Sequence, residues 1–159
     1  SEIPNPRYAD VGSGKVKARE AVQVIYDENK ISTAKVLELY FRHIDPTDGG
    51  GQFVDRGYQY SPAVYYVNDS QKNLTERIIQ KIEASKKFSL GVQVEVLPYT
   101  NFYPAEEYHQ NYKDKNPVRY STYREASGRN AFVRKNWQDD SSHVKDIFAV
   151  PISTSTAIQ

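Results

Sequence analysis

Ala63-Val-Tyr-Tyr-Val67, running through Asn68-Asp-Ser70 into Leu74, Ile78 and Ile82, and then Gly91-Val-Gln-Val-Glu-Val-Leu97, is the stretch on which the reading of the fold turns. The first five residues are β-branched and aromatic, which suits a strand. Asn68 to Ser70 offer short polar side chains for a helix start, and Leu74, Ile78 and Ile82 recur every four residues, so they share one helical face. Val92, Val94 and Val96 then alternate with Gln93 and Glu95, the period of a second strand. Strand, helix and strand in this order point to helices packed on a sheet.

Working outward gives the rest. Upstream, Glu20 to Asp27 alternates Val22, Val24 and Tyr26 with Ala21, Gln23 and Ile25, which predicts a strand apolar on both faces and therefore central. Ser32 is a good N-cap for a helix to about Ile44, with Val36, Leu37, Tyr40, Phe41 and Ile44 as its buried stripe and Asp45-Pro46 as its stop. Thr47 to Tyr60 reads as a long glycine-rich loop, the kind of segment that often carries function. Downstream, Pro104 precedes a short helix over Ala105 to Lys115 stopped by Asn116-Pro117. A last helix is expected around Asn130 to Trp137. The expected class is α/β, an α+β sandwich with a mixed sheet. Residues 1–150 form one domain, and 151–159 an extended Ser/Thr-rich tail.

The composition fits that size. There are 159 residues, 38% hydrophobic and 26% charged, with a net charge of +1. Such a chain reads as a soluble domain with a real core, and its balanced charge gives no electrostatic case for nucleic acid. Apolar runs are far too short for a membrane-spanning helix. The sequence has no cysteine and no methionine. Thiolate chemistry, disulfides and cysteine metal sites are thus outside the reach of these residues. The start at Ser1 reads as a processed or truncated end, or as a beginning inside a longer precursor. Three scattered histidines make no zinc site, and Gly49-Gly-Gly51 lacks the Lys-Ser/Thr of a phosphate loop, so no metal or cofactor is expected.

Three further segments carry a family resemblance: Asn5-Pro-Arg-Tyr8 leading to Glu20-Ala-Val22, Asp55-Arg-Gly-Tyr-Gln-Tyr60, and Phe102-Tyr-Pro-Ala-Glu-Glu-Tyr-His-Gln110. In this order they resemble peptide methionine sulfoxide reductase A, and the similarity extends from about Asn5 to Trp137. The resemblance implies reduction of the S epimer of methionine sulfoxide. In that family a thiolate from a Gly-Cys-Phe-Trp-Gly motif attacks the sulfoxide sulfur, and neither this motif nor its Phe-Trp pair occurs here. What the resemblance leaves is the polar half of the site. Glu20 matches the acid that protonates or hydrogen-bonds the sulfoxide oxygen, Tyr8 and Tyr60 the two hydroxyls on the same oxygen, Asp55 a supporting carboxylate, and His109 a residue lining or bracing the site. By position alone Glu20 would be a solvated edge charge; its joint match with Tyr8, Asp55 and Tyr60 favours the site.

Departures accompany the match. Lys17-Ala-Arg19 stands where the family has Gly-His-Ala before its acid, and Gly12 where it often has cysteine. An arginine beside Glu20 would favour the carboxylate if the two were close in space, the wrong direction for a proton donor. Two functions follow. One is a non-catalytic structural or accessory subunit of a larger assembly, with other protein chains covering a sheet left short of strands. The alternative is an active reductase whose cysteine-bearing segment lies outside this sequence and whose partner is methionine sulfoxide or oxidised protein.

Overall fold

The computed structural model describes residues 3–138 and 142–149. The stretch that opened the reading forms its centre. Strand β3 (Ala63–Tyr66) feeds helix α3 (Asp69–Ala84), which returns to β4 (Glu95–Pro98), parallel to β3 with Ala63 opposite Glu95 and Tyr66 opposite Pro98. Asn68 caps α3 by accepting the Gln71 amide at 2.9 Å, satisfying one of the donors that a helix start leaves free. The stripe Leu74, Ile78 and Ile82 is buried, with Thr75 beside it, whose hydroxyl bonds back to the Gln71 carbonyl at 2.8 Å.

Helix α2 (Thr33–Phe41) begins at the expected cap: Ser32 Oγ accepts from the Lys35 amide at 3.2 Å. It ends at Phe41 rather than near Ile44, yet Leu37, Phe41 and Ile44 all enter the core with α3 and Val94. Two further helices close this core, the one expected around Asn130 to Trp137 and one that the sequence did not suggest. Helix α6 (Arg129–Trp137) delivers Trp137, and α7 (Ser142–Phe148) delivers Val144, Ile147 and Phe148. Trp137 is 1% exposed and lies against Phe88 and Phe148. Lys81 of α3 donates to the carbonyls of Asp146 and Ala149, both at 2.8 Å, so a cation holds the C-terminal end of α7, where the helix dipole favours one.

The class is α/β, as expected, but several details differ. The segment Glu20 to Asp27 is not a strand: no ladder forms along it among the described residues, and Val22, Val24 and Ile25 are 86%, 53% and 90% exposed. Alternation makes a segment fit for a sheet, but a strand exists only where a neighbour supplies the hydrogen bonds. The sheet is correspondingly not a single mixed one. The parallel pair β3–β4 stands apart from an antiparallel hairpin of β1 (Gly51–Gln52) and β2 (Asp55–Arg56). That hairpin lies inside the expected loop. Gly51 is required there, since a Cβ would come within 2.2 Å of the Asp55 carbonyl oxygen. The expected helix over 105–115 is a 3-10 turn at Glu107–His109 and a short α4 (Tyr112–Lys115), parted by Asn111 in the left-handed region at φ 53°. Pro117 does not merely stop a helix. It occupies the first turn of α5 (Pro117–Ala126), where its missing N–H costs nothing. The tail 151–159 lies outside the described residues.

Candidate functional site

Five-residue helix α1 (Tyr8–Gly12) places Tyr8 at its start. The chain then doubles back through Gly14, at φ 76°, and the Val16 amide bonds to the Asp10 carbonyl at 3.1 Å. This reversal brings Glu20 alongside α1. Gln59, in the 3-10 turn Tyr58–Tyr60 that follows the hairpin, fixes both. Its carbonyl accepts the Glu20 amide at 2.9 Å, and its side chain donates to the Gly12 carbonyl at 2.9 Å. The hairpin is itself anchored by buried Gln52, whose amide exchanges two hydrogen bonds with the backbone of Asp45, at 2.8 and 2.9 Å.

The result is a polar cluster. Tyr8 donates its hydroxyl to Glu20 Oε2. The other oxygen, Glu20 Oε1, is buried and has no hydrogen-bond partner. Tyr60 faces the same carboxyl: burial is the larger cause of its raised pKa, followed by the charge of Glu20 and a side-chain hydrogen-bonding interaction with it, and Asp55 adds to it. Tyr8 is raised in the same way, chiefly by burial, then by its bond to Glu20 and by the nearby Tyr60 and Asp55. Both tyrosines therefore remain hydroxyl donors throughout the neutral range. His109 stacks on the Tyr8 ring at 3.7 Å between centroids and 27° between planes, with Tyr108 on it at 4.1 Å. The five candidate residues Tyr8, Glu20, Asp55, Tyr60 and His109 thus gather in one place from four stretches of chain.

Arg19 spends its hydrogen bonds on other groups than Glu20. Its side chain is 4% exposed, and it donates to Ser61, Tyr58 and Tyr65 and pairs with Glu95; none of these bonds goes to Glu20. It tacks the Glu20 segment to β3 and β4 instead, with its guanidinium 4.3 Å from the Tyr58 ring centroid.

Two participants escaped the sequence reading. Tyr123 of α5 donates to Asp55 Oδ2, and its hydroxyl is held protonated by burial first and by Asp55 second. Recognising Pro117 as a helix start would have placed Tyr120 and Tyr123 on one helical face. Arg129 sits over Phe53, 4.5 Å from the ring centroid, donates to the His43 carbonyl at 2.9 Å, and lies near enough to Asp55 to feel its charge. Among the described residues no group of three or more His, Cys, Asp or Glu is placed to hold a metal ion, and no helix is long and apolar enough to cross a membrane.

An acid with one satisfied and one open oxygen, flanked by two hydroxyl donors, can bind a polar oxygen and share a proton with it. The family described as Peptide methionine sulfoxide reductase matches residues 1–141. Peptide methionine sulfoxide reductase MsrA of Bacillus licheniformis is 46% identical over 133 residues, covering 84% of this chain and 74% of that protein. MsrA/MsrB of Vibrio cholerae is 41% identical over 147 residues, covering 92% of this chain and 39% of its own length. Among solved structures, reduced Mxr1 from Saccharomyces cerevisiae aligns with a TM-score of 0.66 at 33% identity, covering 74% of this chain. This chain spans 65% of that structure and 59% of methionine sulfoxide reductase A of Corynebacterium diphtheriae, which aligns with a TM-score of 0.62 at 28% identity.

Proposed function

This chain belongs to the peptide methionine sulfoxide reductase A family, and we propose that its 159 residues bind methionine sulfoxide through its oxygen but do not reduce it unaided. The observation that carries the reading is the Glu20 carboxyl: Oε2 is taken by Tyr8, while Oε1 is buried and unpartnered. A buried acceptor without a partner is costly, so such an atom is best explained by a ligand that completes it. A sulfoxide oxygen offers lone pairs only. It is therefore met by the Tyr60 hydroxyl, and Glu20 can share a proton with it through Oε1 when the carboxyl is protonated, with Tyr8 holding the carboxyl in place. Asp55, itself held by Tyr123, adds its charge to keep Tyr60 a hydroxyl donor, and His109 braces Tyr8 by stacking.

Reduction needs two electrons and a nucleophile. A thiolate supplies both: it attacks the sulfoxide sulfur, the oxygen is protonated as its bond to that sulfur breaks, and the sulfide leaves with the oxygen ending on the thiol sulfur as a sulfenic acid, two electrons more oxidised; no residue in this sequence can do that. An accessory or structural role within a larger assembly follows on this reading, and the exposed Val22, Val24 and Ile25 are suited to a protein contact. The second reading is a working reductase whose thiol comes from residues outside these 159. It is favoured by the fully assembled oxygen-binding cluster, which a purely structural descendant has no need to keep.

The test pairs binding with turnover. N-acetyl-methionine-S-sulfoxide should perturb the NMR signals of Tyr8, Glu20 and Tyr60, and Glu20→Leu, which removes the carboxyl but keeps similar bulk, should weaken that binding about tenfold, the worth of one hydrogen bond. With dithiothreitol present the chain should reduce no sulfoxide beyond the buffer rate. Absence of binding would remove the sulfoxide reading. Turnover in material shown by mass to be free of cysteine would remove the claim of inactivity.

A further inference from the structure

We infer that Glu106 is a specificity-determining residue of the same site: its buried carboxylate oxygen accepts the main-chain nitrogen of a bound methionine sulfoxide, as an amide N–H in a polypeptide or an ammonium in the free amino acid. This inference deepens the sulfoxide reading and rests on it for the identity of the ligand. Glu106 stands three residues before His109, and its carbonyl accepts the His109 amide at 2.9 Å in the turn that lays His109 on the Tyr8 ring. Its charge also reaches Arg7, the residue before Tyr8. The carboxyl therefore lies beside the polar cluster. Its Oε2 is buried and has no hydrogen-bond partner among the described residues.

The neighbouring cations are directed elsewhere. Arg7 donates to Asp10, at 2.9 and 3.4 Å, and Lys115 donates to the carbonyl and carboxylate of Glu107, at 2.8 and 3.0 Å. Glu106 precedes the 3-10 turn Glu107–His109, yet its side chain does not cap that turn. The backbone around it is closed on itself: Gln110 donates its side-chain amide to the Ala105 carbonyl at 2.8 Å and its main-chain N–H to the Glu107 carbonyl at 3.1 Å. Glu106 is thus held from both sides and cannot swing its base toward another partner. A buried acceptor left open is costly, and only a donor completes it. The sulfoxide oxygen cannot, because it offers lone pairs alone. The nitrogen of methionine sulfoxide can, and it sits at the opposite end of the side chain from the sulfur. Oxygen and nitrogen are then read at separate places, the first by Tyr60 and Glu20, the second by Glu106.

Glu106→Leu removes the acceptor at similar bulk, and Glu106→Gln keeps an acceptor but no charge. Three sulfoxides are titrated into the full chain by NMR: the methyl ester of N-acetyl-methionine-S-sulfoxide, whose one N–H is the amide in question, free L-methionine-S-sulfoxide, and dimethyl sulfoxide, which has no N–H. Leu should weaken the ester about tenfold, the worth of one hydrogen bond, and Gln by less; for the free amino acid both should weaken binding alike, since an ammonium needs the charge. Dimethyl sulfoxide should bind all three proteins equally. Loss confined to the ester would assign the site to polypeptides, and loss confined to the amino acid to the free form. Leu should leave the urea midpoint of the free chain unchanged or higher, because it removes an uncompensated acceptor; a carboxyl that serves the fold would lower it when lost. The inference is overturned if Leu leaves both nitrogen-bearing ligands unaffected, weakens dimethyl sulfoxide as much, or lowers that midpoint. If dimethyl sulfoxide shifts Tyr8, Glu20 and Tyr60 while the Glu106 variants change nothing, the sulfoxide reading stands and this inference fails. If no sulfoxide binds, both fail.

Discussion

Tyr8 and Glu20 are twelve residues apart in sequence and joined by one hydrogen bond, and most of what is distinctive about this molecule follows from that bond. Removing its donor leaves Glu20 Oε2 without that partner, beside an Oε1 that is already buried and unpartnered. Tyr8→Phe is therefore expected to cost about 1–3 kcal/mol in urea denaturation, more than the loss of an exposed hydroxyl. An unchanged denaturation midpoint would mean that the bond contributes nothing. The tyrosine hydroxyls give a second check. Tyr8, Tyr60 and Tyr123 all have pKa values raised above the ordinary 10, each by burial first and by Glu20 or Asp55 next. Their folded forms hold the proton more tightly than the unfolded chain does. Their contribution to stability is thus complete below pH 10 and is lost as pH rises through the folded values. In an alkaline titration followed by phenolate absorbance, a late phase should appear, and it should shrink in Tyr8→Phe and in Tyr123→Phe.

At the scale of elements, the instructive case is Glu20 to Asp27. Its alternation is as regular as that of Val92 to Val96, yet one segment lies against the core and the other faces solvent. The difference is what surrounds each. Glu95 to Pro98 has β3 alongside it and α3 across it, whereas the described residues give Ala21 to Tyr26 no neighbouring strand. Val22→Ser should then change stability by no more than about 0.5 kcal/mol, as surface substitutions do. Ile78→Ala, in the fully buried stripe of α3, should cost about 2–5 kcal/mol by chemical denaturation. A comparable loss from both would restore the buried-strand reading. Helix α5 teaches the complementary lesson. Pro117 was legible as a stop, but the same residue serves as a first-turn residue when a helix follows, and only that second use places Tyr123 at Asp55.

For the molecule as a whole, one core links α2, α3, α6 and α7, and its largest member is the only tryptophan in the sequence. Trp137 emission should accordingly be blue-shifted, and its change on denaturation should coincide with the loss of helical circular dichroism; separate transitions would mean that the core is not one cooperative unit. Lys81 ties α7 to this core across more than sixty residues of sequence, through two carbonyls at 2.8 Å. Lys81→Met should remove about 1 kcal/mol and speed hydrogen exchange in α7 ahead of α3, since freed last-turn carbonyls loosen one helix before the whole. Equal exchange in the two helices would place α7 inside the global unfolding unit regardless of Lys81.

The sequence by itself determined the local and covalent facts. Caps at Ser32 and Asn68 and the four-residue stripe of α3 are set by neighbours within a few residues, and so they were legible. So was the limit on chemistry, because the absence of a thiol needs no coordinates. The five candidate site residues were found through their resemblance to a family's motifs, not through any pattern of spacing. Tertiary structure alone decided which alternating segment became a strand, since strand identity belongs to a pair and not to a segment. It turned Arg19 toward Glu95 and away from its sequence neighbour Glu20, and it brought in Tyr123. It also buried Glu106 Oε2 without a hydrogen-bond partner. Each of these depends on contacts between residues distant in the chain, where direction and distance, which a sequence does not encode locally, fix the electrostatics of the site.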